Sequence, residues 1–391
     1  MQQPSRRKFL GGALASTCLA SAAKNPAITK LEIFSAPYPV AAHFKFFKKP
    51  WRDTVLVKIT TEDGTFGWGQ SVPIPAWSYE SLESTMATLE KHLAPVLIGL
   101  DPFDIAGAHG AMNKAIAPSF STGMPITKAG VDLALHDLTA KLRNQSVAER
   151  WGRKTPDKLT LSWTVNPQSL EETEQLVAAG RARGYKHFNV KIAPDPKFDL
   201  AMCKLVRKLA PDCFLWADAN GGYDLATALA IAPKLADSGV NVLEQPIAPN
   251  RLTGLRELKR QGALPILLDE GVVSSVELVE FIKIGLLDGV AMKPARTAGL
   301  FDARKQIEIV QEAGLLFLGS GLTDPDVALA AAIQLYGAYG LKFPAALNGP
   351  QFLSGSFLKK PLVVKDGEIE IPSGPGLGVE VNEARVRKGQ A

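Results

Sequence analysis

The chain has 391 residues, 46% hydrophobic, 21% charged and 7% aromatic, proportions that exclude a disordered, collagen-like or coiled-coil protein. One hydrophobic core rarely grows past about 250–300 residues, so this length requires at least two parts. The formal charge is +5, of which Arg6, Arg7 and Lys8 supply three; the +2 that remains, with no long basic cluster, excludes a nucleic-acid binder.

At the front, Ser5-Arg6-Arg7-Lys8-Phe9-Leu10 precedes an acid-free apolar run, Gly11 to Ala23, ending in small residues. A twin arginine before such a run has the layout of a bacterial Tat signal over residues 1–23. The run is too short to span a bilayer, so the expectation is a soluble periplasmic product with no membrane attachment once the signal is removed.

Residues 27–150 read as an α+β domain. Ile28 to Tyr38, Thr54 to Thr61 and Thr65 to Gln70 look like a strand meander with Asp63-Gly64 as its hairpin turn. Helical stretches follow around Tyr79 to Leu93, Asp101 to Ala115 and Pro125 to Leu142.

From Lys158 a rhythm sets in. Apolar runs of strand length end at Thr164, Lys191, Asp218, Glu244, Asp269, Lys293 and Gly319, with gaps of 27, 27, 26, 25, 24 and 26 residues. A strand, a helix and two short turns need about this much chain. Glycines precede most of the strands, where a helix C-terminus takes a left-handed residue. With an eighth strand near Ala345 to Asn348, the prediction is an α/β fold: a (β/α)8 barrel over residues 158–348 behind an N-terminal capping domain. Pro361 to Val364 and Glu368 to Ile371 read as strands of a tail, residues 349–391, that returns to the capping domain.

The polar residues within this rhythm carry the chemistry. Asp218, Glu244 and Asp269 stand singly at the carboxyl ends of three successive strands, the face where barrel active sites lie. Three carboxylates there repel one another without a cation, and with no histidine after His187 the donor set is all oxygen and suits Mg²⁺. The competing reading is that each acid only caps the next helix. Lys191 and Lys293 flank the acids at equivalent places, as counter-ions or as an acid–base pair on opposite faces of a substrate carbon, with pKa values lowered by the cation and by partial burial. Three cysteines cannot make a disulfide scaffold or a four-thiolate zinc site.

With these residues, the Asp63-Gly64 hairpin, Lys128-Ala129-Gly130-Val131-Asp132 and Gly374-Pro375-Gly376-Leu377-Gly378 in place, the chain resembles the enolase superfamily in its muconate-lactonizing branch over nearly all its mature length. The resemblance implies a modified TIM barrel with Mg²⁺ on Asp218, Glu244 and Asp269, supported by Asn220 and Glu270. It makes Lys191 and Lys293 the paired bases that take a proton α to a carboxylate, with the resulting enediolate stabilised by the metal. Thr164, Ser320 and Asn348 resemble positions that contact substrate.

The expected partners are a small-molecule carboxylate and other copies of the chain in a homo-oligomer. Two lysines of matching role suit reprotonation from either face. The expectation is therefore a racemase or epimerase of an amino-acid derivative, with a cycloisomerase as near rival, then an acid dehydratase, then a catalytically silent exported binding protein.

Departures from the pattern bear on substrate. Asn189 stands where the family usually has the first lysine of Lys-x-Lys. Ala346-Leu347-Asn348 replaces the Asp-x-Asp with which dipeptide epimerases hold an ammonium group, and Asp324 and Asp326 read first as helix caps. The segment Val40 to Arg52 is expected to close over the barrel mouth, with Phe44, Phe46, Phe47 and Trp51 as an apolar lid and Lys45 or Lys48 drawing a second anionic group.

Overall fold

The computed structural model describes residues 25–119 and 121–389; the twin-arginine segment, residues 1–23, lies outside them. The first domain is built on a three-stranded antiparallel sheet, Ile28–Ser35, Val55–Thr61 and Phe66–Ser71, with Val55–Thr61 in the middle. Its hairpin is closed by the Thr61 N–H on the Thr65 carbonyl at 3.0 Å, and Asp63 Oδ1 accepts from the Thr65 N–H at 3.0 Å. Both are local bonds that an Asp-Gly turn makes readily.

One sheet face packs on the helix Pro125–Leu142, almost all of which is buried. The approach is set by glycine: a Cβ added to Gly69 would lie 1.9 Å from the Gly130 carbonyl oxygen. The expected helix from Tyr79 starts at Leu82 instead, behind a capping box of Ser81 and Ser84. It passes through a π-helical turn, Leu89–Leu93, just ahead of Pro95, which has no N–H to continue an i−4 ladder.

The second part is a parallel sheet of seven strands in sequential order: Ser162–Val165, His187–Lys191, Leu215–Asp218, Val242–Glu244, Ile266–Leu268, Gly289–Met292 and Leu316–Gly319. Helices pack between them, as right-handed crossovers require. Closure comes from the predicted eighth segment, reduced to single bridges: Ala345 pairs with Leu161 on one side and Ala346 with Ser320 on the other. The result is a (β/α)8-type barrel. Trp216, Val242, Leu267, Ala291, Leu318 and Ala346 fill its interior as one apolar cluster.

The tail returns to the first domain as expected, though its hairpin, Val364–Lys365 and Glu368–Glu370, pairs with Lys158–Thr160 where the chain enters the barrel. The terminal helix Glu383–Lys388 reaches the first-domain sheet: Glu383 bonds Lys58 at 2.8 Å and Arg387 bonds Glu32 at 3.1 Å. A second tie is buried between domains, where Asp132 on Pro125–Leu142 accepts from the N–H groups of Leu300 and Phe301 at the start of the barrel helix Leu300–Glu312. Among the described residues no helix is long and apolar enough to cross a membrane.

Candidate active site

In a strand, residues two apart share a face. Two residues beyond the interior cluster of Trp216, Val242, Leu267, Ala291, Leu318 and Ala346 stand Asp218, Glu244, Asp269, Lys293, Ser320 and Asn348. The side chains that fill the barrel therefore set the direction of those that crown it. Parallel register sharpens the row, since Lys191 lies beside Asp218 and Asp218 beside Glu244 at one level, with Asn189 beside Thr164 one step below. The acids do not cap helices: the helices after strands three and five are capped by Asp224 and Ser274, and the helix after strand four begins at Arg251 without a side-chain cap.

The two outer acids each hold a lysine. Lys191 donates to Asp218 and Lys293 to Asp269, both inside the barrel mouth. Asn220, at φ 44°, gives Asp218 its backbone N–H at 2.8 Å and its Nδ2 at 3.1 Å. Gln245 Oε1 accepts from the Asp269 N–H at 3.1 Å and steadies the fifth strand end. With each outer acid drawn to its lysine, no three carboxylate, histidine or cysteine side chains among the described residues are gathered at metal-ligand spacing. Glu244 sits between them with Oε1 buried and without a partner, as are Glu270 Oε2 and Asn220 Oδ1. Buried acceptors without donors are costly, and an oxygen-ligated cation between them satisfies all three, so the residues fit Mg²⁺.

Electrostatics agree. Burial, with Asp218 and Asp269 beside it, pushes the Glu244 carboxyl well above the ordinary range, and burial with the same two acids does so for Glu270. Burial also works to raise Asp269, but Lys293 and Arg296 outweigh it and hold that group at about 2. For Lys191 the expected lowering is reversed. Burial does lower it, yet Asp218, Glu244 and Asp269 together hold the ammonium above the ordinary lysine value. The expected lowering assumed a cation among those acids.

The lid stands as expected in part. Phe44 and Phe46, with Ile74 and Trp77, wall a cavity of about 20 Å³ over Asn189, Lys191, Asn220, Lys293, Ser320 and Asn348, room for a single water. Phe44 stacks on Phe352 at 4.5 Å, and Phe47 backs it edge-on at 5.4 Å. Trp51 is not part of this wall; it is 45% exposed on a short strand that pairs with Tyr38–Pro39. Thr164 stays one step behind the cavity, where the Gln351 amide grips its N–H and carbonyl at 3.0 and 2.8 Å and Asn348 Nδ2 reaches its hydroxyl at 3.4 Å. A hollow of about 760 Å³ opens beside the tail hairpin around Lys158, Lys360 and Glu368 and touches none of these residues.

Several neighbours were not foreseen. Arg296, 1% exposed, donates to Asp269 and to the Ala291 carbonyl; its only sequence signal is its place one turn past Lys293. Trp77 lies 4.9 Å from the Lys293 ammonium. The capping expectation for Asp324 and Asp326 is corrected. Pro325 begins the helix Asp326–Ala338 without a side-chain cap. Asp324 is buried and accepts from the Leu322 N–H at 3.2 Å, burial raising it to about 6. Asp326 binds Tyr38, Ser356 and the Phe357 N–H.

Parallel strands closed into a barrel, with acids and amines at their carboxyl ends under a lid from a first domain, have the layout of a barrel enzyme. Residues 35–152 match the N-terminal domain of the mandelate racemase / muconate lactonizing enzyme family, and residues 171–385 match its enolase C-terminal domain-like part. The chain belongs to this family, the muconate-lactonizing branch of the enolase superfamily, and is an isomerase of it.

A chloromuconate cycloisomerase of Cupriavidus necator is 31% identical over 339 residues, 85% of this chain and 90% of that one. An N-succinyl-L-Arg/Lys racemase of Bacillus cereus is 26% identical over 91% of this chain and 96% of its own length. The crystal structure of 2-chloromuconate cycloisomerase from Rhodococcus opacus superposes with a TM-score of 0.86 at 28% identity, over 94% of this chain and all of that one. These relatives put cycloisomerisation ahead of racemisation, the reverse of the order expected from the sequence.

Proposed function

We propose that this protein is a Mg²⁺-dependent cycloisomerase that interconverts an unsaturated open-chain carboxylate and its lactone by moving a proton to and from the carbon α to a carboxylate. The carrying observation is the row Lys191, Asp218, Glu244, Asp269 and Lys293 on one face of five successive strand ends, an amine at each flank and acids between. Asp218, Glu244 and Asp269 would hold the cation, with Asn220 and Glu270 supporting, as their unpartnered oxygens favour. When bound, it stabilises the charge that develops on a carboxylate as its α-proton leaves, a proton far too weakly acidic for an unaided amine.

The residues of the chain do the rest. In ring opening one lysine amine takes the α-proton, and the ring oxygen departs with its bonding pair as a carboxylate. In ring closure the carboxylate oxygen adds back to the β-carbon with an electron pair, and the ammonium returns the proton to the α-carbon. Asn189, its Nδ2 buried without a partner, and Asn348, its Oδ1 likewise, point polar groups at a substrate from the second and eighth segments. The aromatic lid keeps water from the carbanionic carbon.

Racemisation of an N-acylated amino acid is the second reading. It is favoured by the lysines on opposite flanks, one removing the proton and the other returning it from the far side. NMR of the Mg²⁺-loaded protein in D₂O with cis,cis-muconate and with N-succinyl-L-lysine separates the two. A lactone carrying α-deuterium supports the first reading, deuterated epimer the second, and neither product overturns both. We also propose export by the twin-arginine route, checked by whether a folded reporter fused behind residues 1–30 reaches the periplasm and stays inside with Arg6→Lys and Arg7→Lys.

A further inference from the structure

The turns behind the barrel's strand ends are tied to one another, and one tie stands outside the site described above. Ala193, two residues beyond Lys191, has φ 67°, a left-handed backbone that a residue with a Cβ adopts only where its surroundings hold it. What holds it is Asp199, in the first turn of the helix Pro196–Leu209 and 3% exposed. Asp199 Oδ2 accepts from the Ala193 N–H at 2.9 Å and from the Tyr223 hydroxyl at 2.6 Å. Tyr223, itself buried, lies in the turn after the third strand, beyond Asp218 and Asn220. Gly222 lets the two turns meet, since a Cβ added there would lie 2.7 Å from the Ala193 Cβ. One carboxylate oxygen therefore joins the turn behind Lys191 to the turn behind Asp218.

The two turns differ in what else holds them. The third is fixed from its far side: the Gly221 N–H reaches the Gln245 carbonyl at 2.7 Å and the Tyr223 N–H the Pro246 carbonyl at 3.2 Å. Gln245 in turn grips the N–H groups of Asp269 and Gly271 at 3.1 and 3.2 Å. The second turn has no such anchor. Its strand makes a last ladder bond from the Ile192 N–H to the Asp218 carbonyl at 2.9 Å, and beyond that, among the described residues, Ala193 is hydrogen-bonded by Asp199 alone. Burial lifts the Asp199 carboxyl above the ordinary range, and the bonds from Tyr223 and Ala193 offset this in part. An uncharged side chain would fill the same space at less cost.

We propose that Asp199 and Tyr223 are positioning residues for Lys191: through the Ala193 turn they fix where its amine stands relative to the acids, and so govern proton transfer on that flank alone. This rests on the reading of the site as one for α-proton transfer. Neither residue lines the cavity over the lysines, so the effect passes through Lys191. Lys293 has supports of its own, Trp77 over it and Arg296 on the Asp269 that it shares, and does not depend on this tie.

The test separates the flanks. Muconolactone, whose α-methylene turns one proton to each flank, and the L and D enantiomers of N-succinyl-lysine, which turn one each to opposite flanks, are followed by NMR in D₂O with Mg²⁺. Lys191→Met and Lys293→Met identify the proton that each lysine takes. Asp199→Ala should slow exchange of the Lys191 proton about tenfold, through kcat with KM held within about threefold, and leave the Lys293 proton within about twofold. Tyr223→Phe should slow the same proton about threefold, and it carries the test if Asp199→Ala does not fold. Asp199→Asn keeps an acceptor for both donors and should restore most of the rate. Mg²⁺ affinity, read by calorimetry, should stay within about twofold in all three variants. Equal slowing on both flanks, loss of Mg²⁺ binding, or unchanged exchange in Asp199→Ala or Tyr223→Phe overturns the inference. Exchange on the Lys293 flank alone in the unaltered protein also overturns it and leaves the proposed function standing. Absence of exchange on all three compounds removes the proposed function first.

Discussion

Lys191 and Lys293 share a residue type and a place in their strands, but they differ in company. Lys293 has Trp77 over it and shares Asp269 with Arg296, whereas Lys191 holds Asp218 with Asn189 one step below on the same strand. Replacing either by methionine should lower α-proton exchange by at least about 10³-fold, within the range for a positioned acid or base. Mg²⁺ affinity, read by calorimetry, should separate the two roles that a lysine at a strand end can have. Lys191→Met removes a cation that competes for Asp218, so binding should hold or tighten; Glu244→Gln should abolish it. Loss of Mg²⁺ binding in Lys191→Met would mean that the lysine only holds the acid in place. These residues were legible in the sequence because each ends an apolar run. Arg296 was not, since a lone arginine in a turn gives no sign that the chain folds back over Asp269.

The elements explain why the barrel was easier to read than the cap. Each barrel unit repeats one solution, a short apolar strand, a capped helix and a glycine at the helix end; Gly262, for example, is the C-cap of Leu252–Gln261 at φ 67°. Repetition at a fixed spacing makes such a pattern visible even where a single strand is short. The eighth segment is bound by one bridge on each side, so its apolar run was a fair signal of position but not of regular strand. The alternating pattern of the tail hairpin says that it pairs, not with which edge, and the edge it meets is Lys158–Thr160. In the first domain the glycines carry the decisive contact. Gly69→Ala drives a methyl into the Gly130 carbonyl, and Pro125–Leu142 must lift from the sheet. Chemical unfolding should show a loss of about 3 kcal/mol, and a loss below about 0.5 kcal/mol would mean that the helix has room to move.

At the scale of the molecule, the cap and barrel share buried charge. Asp132 contacts His109 at 2.8 Å and His136 at 3.2 Å and accepts from the start of Leu300–Glu312. Burial opposes its ionisation, but His136 and His109 hold its carboxyl well below the ordinary range. A carboxyl depressed on folding adds stability above its unfolded pKa, about 4, and loses it as pH falls through the lower folded value. Asp132→Asn should therefore destabilise by about 3 kcal/mol at pH 7, with the gap from the unaltered protein narrowing below about pH 4; a pH-independent gap would contradict a charged latch. The site depends on this junction because the lid comes from one domain and the bases from the other. That the acids and amines act together as one metal-dependent proton-transfer site is the central claim, and α-deuterium incorporation in D₂O tests it most directly. With Mg²⁺ and cis,cis-muconate or N-succinyl-L-lysine the protein should place deuterium at the α-carbon, stop on addition of EDTA and resume when Mg²⁺ is restored. Exchange that persists in EDTA, or survives in Lys191→Met and Lys293→Met together, would contradict it.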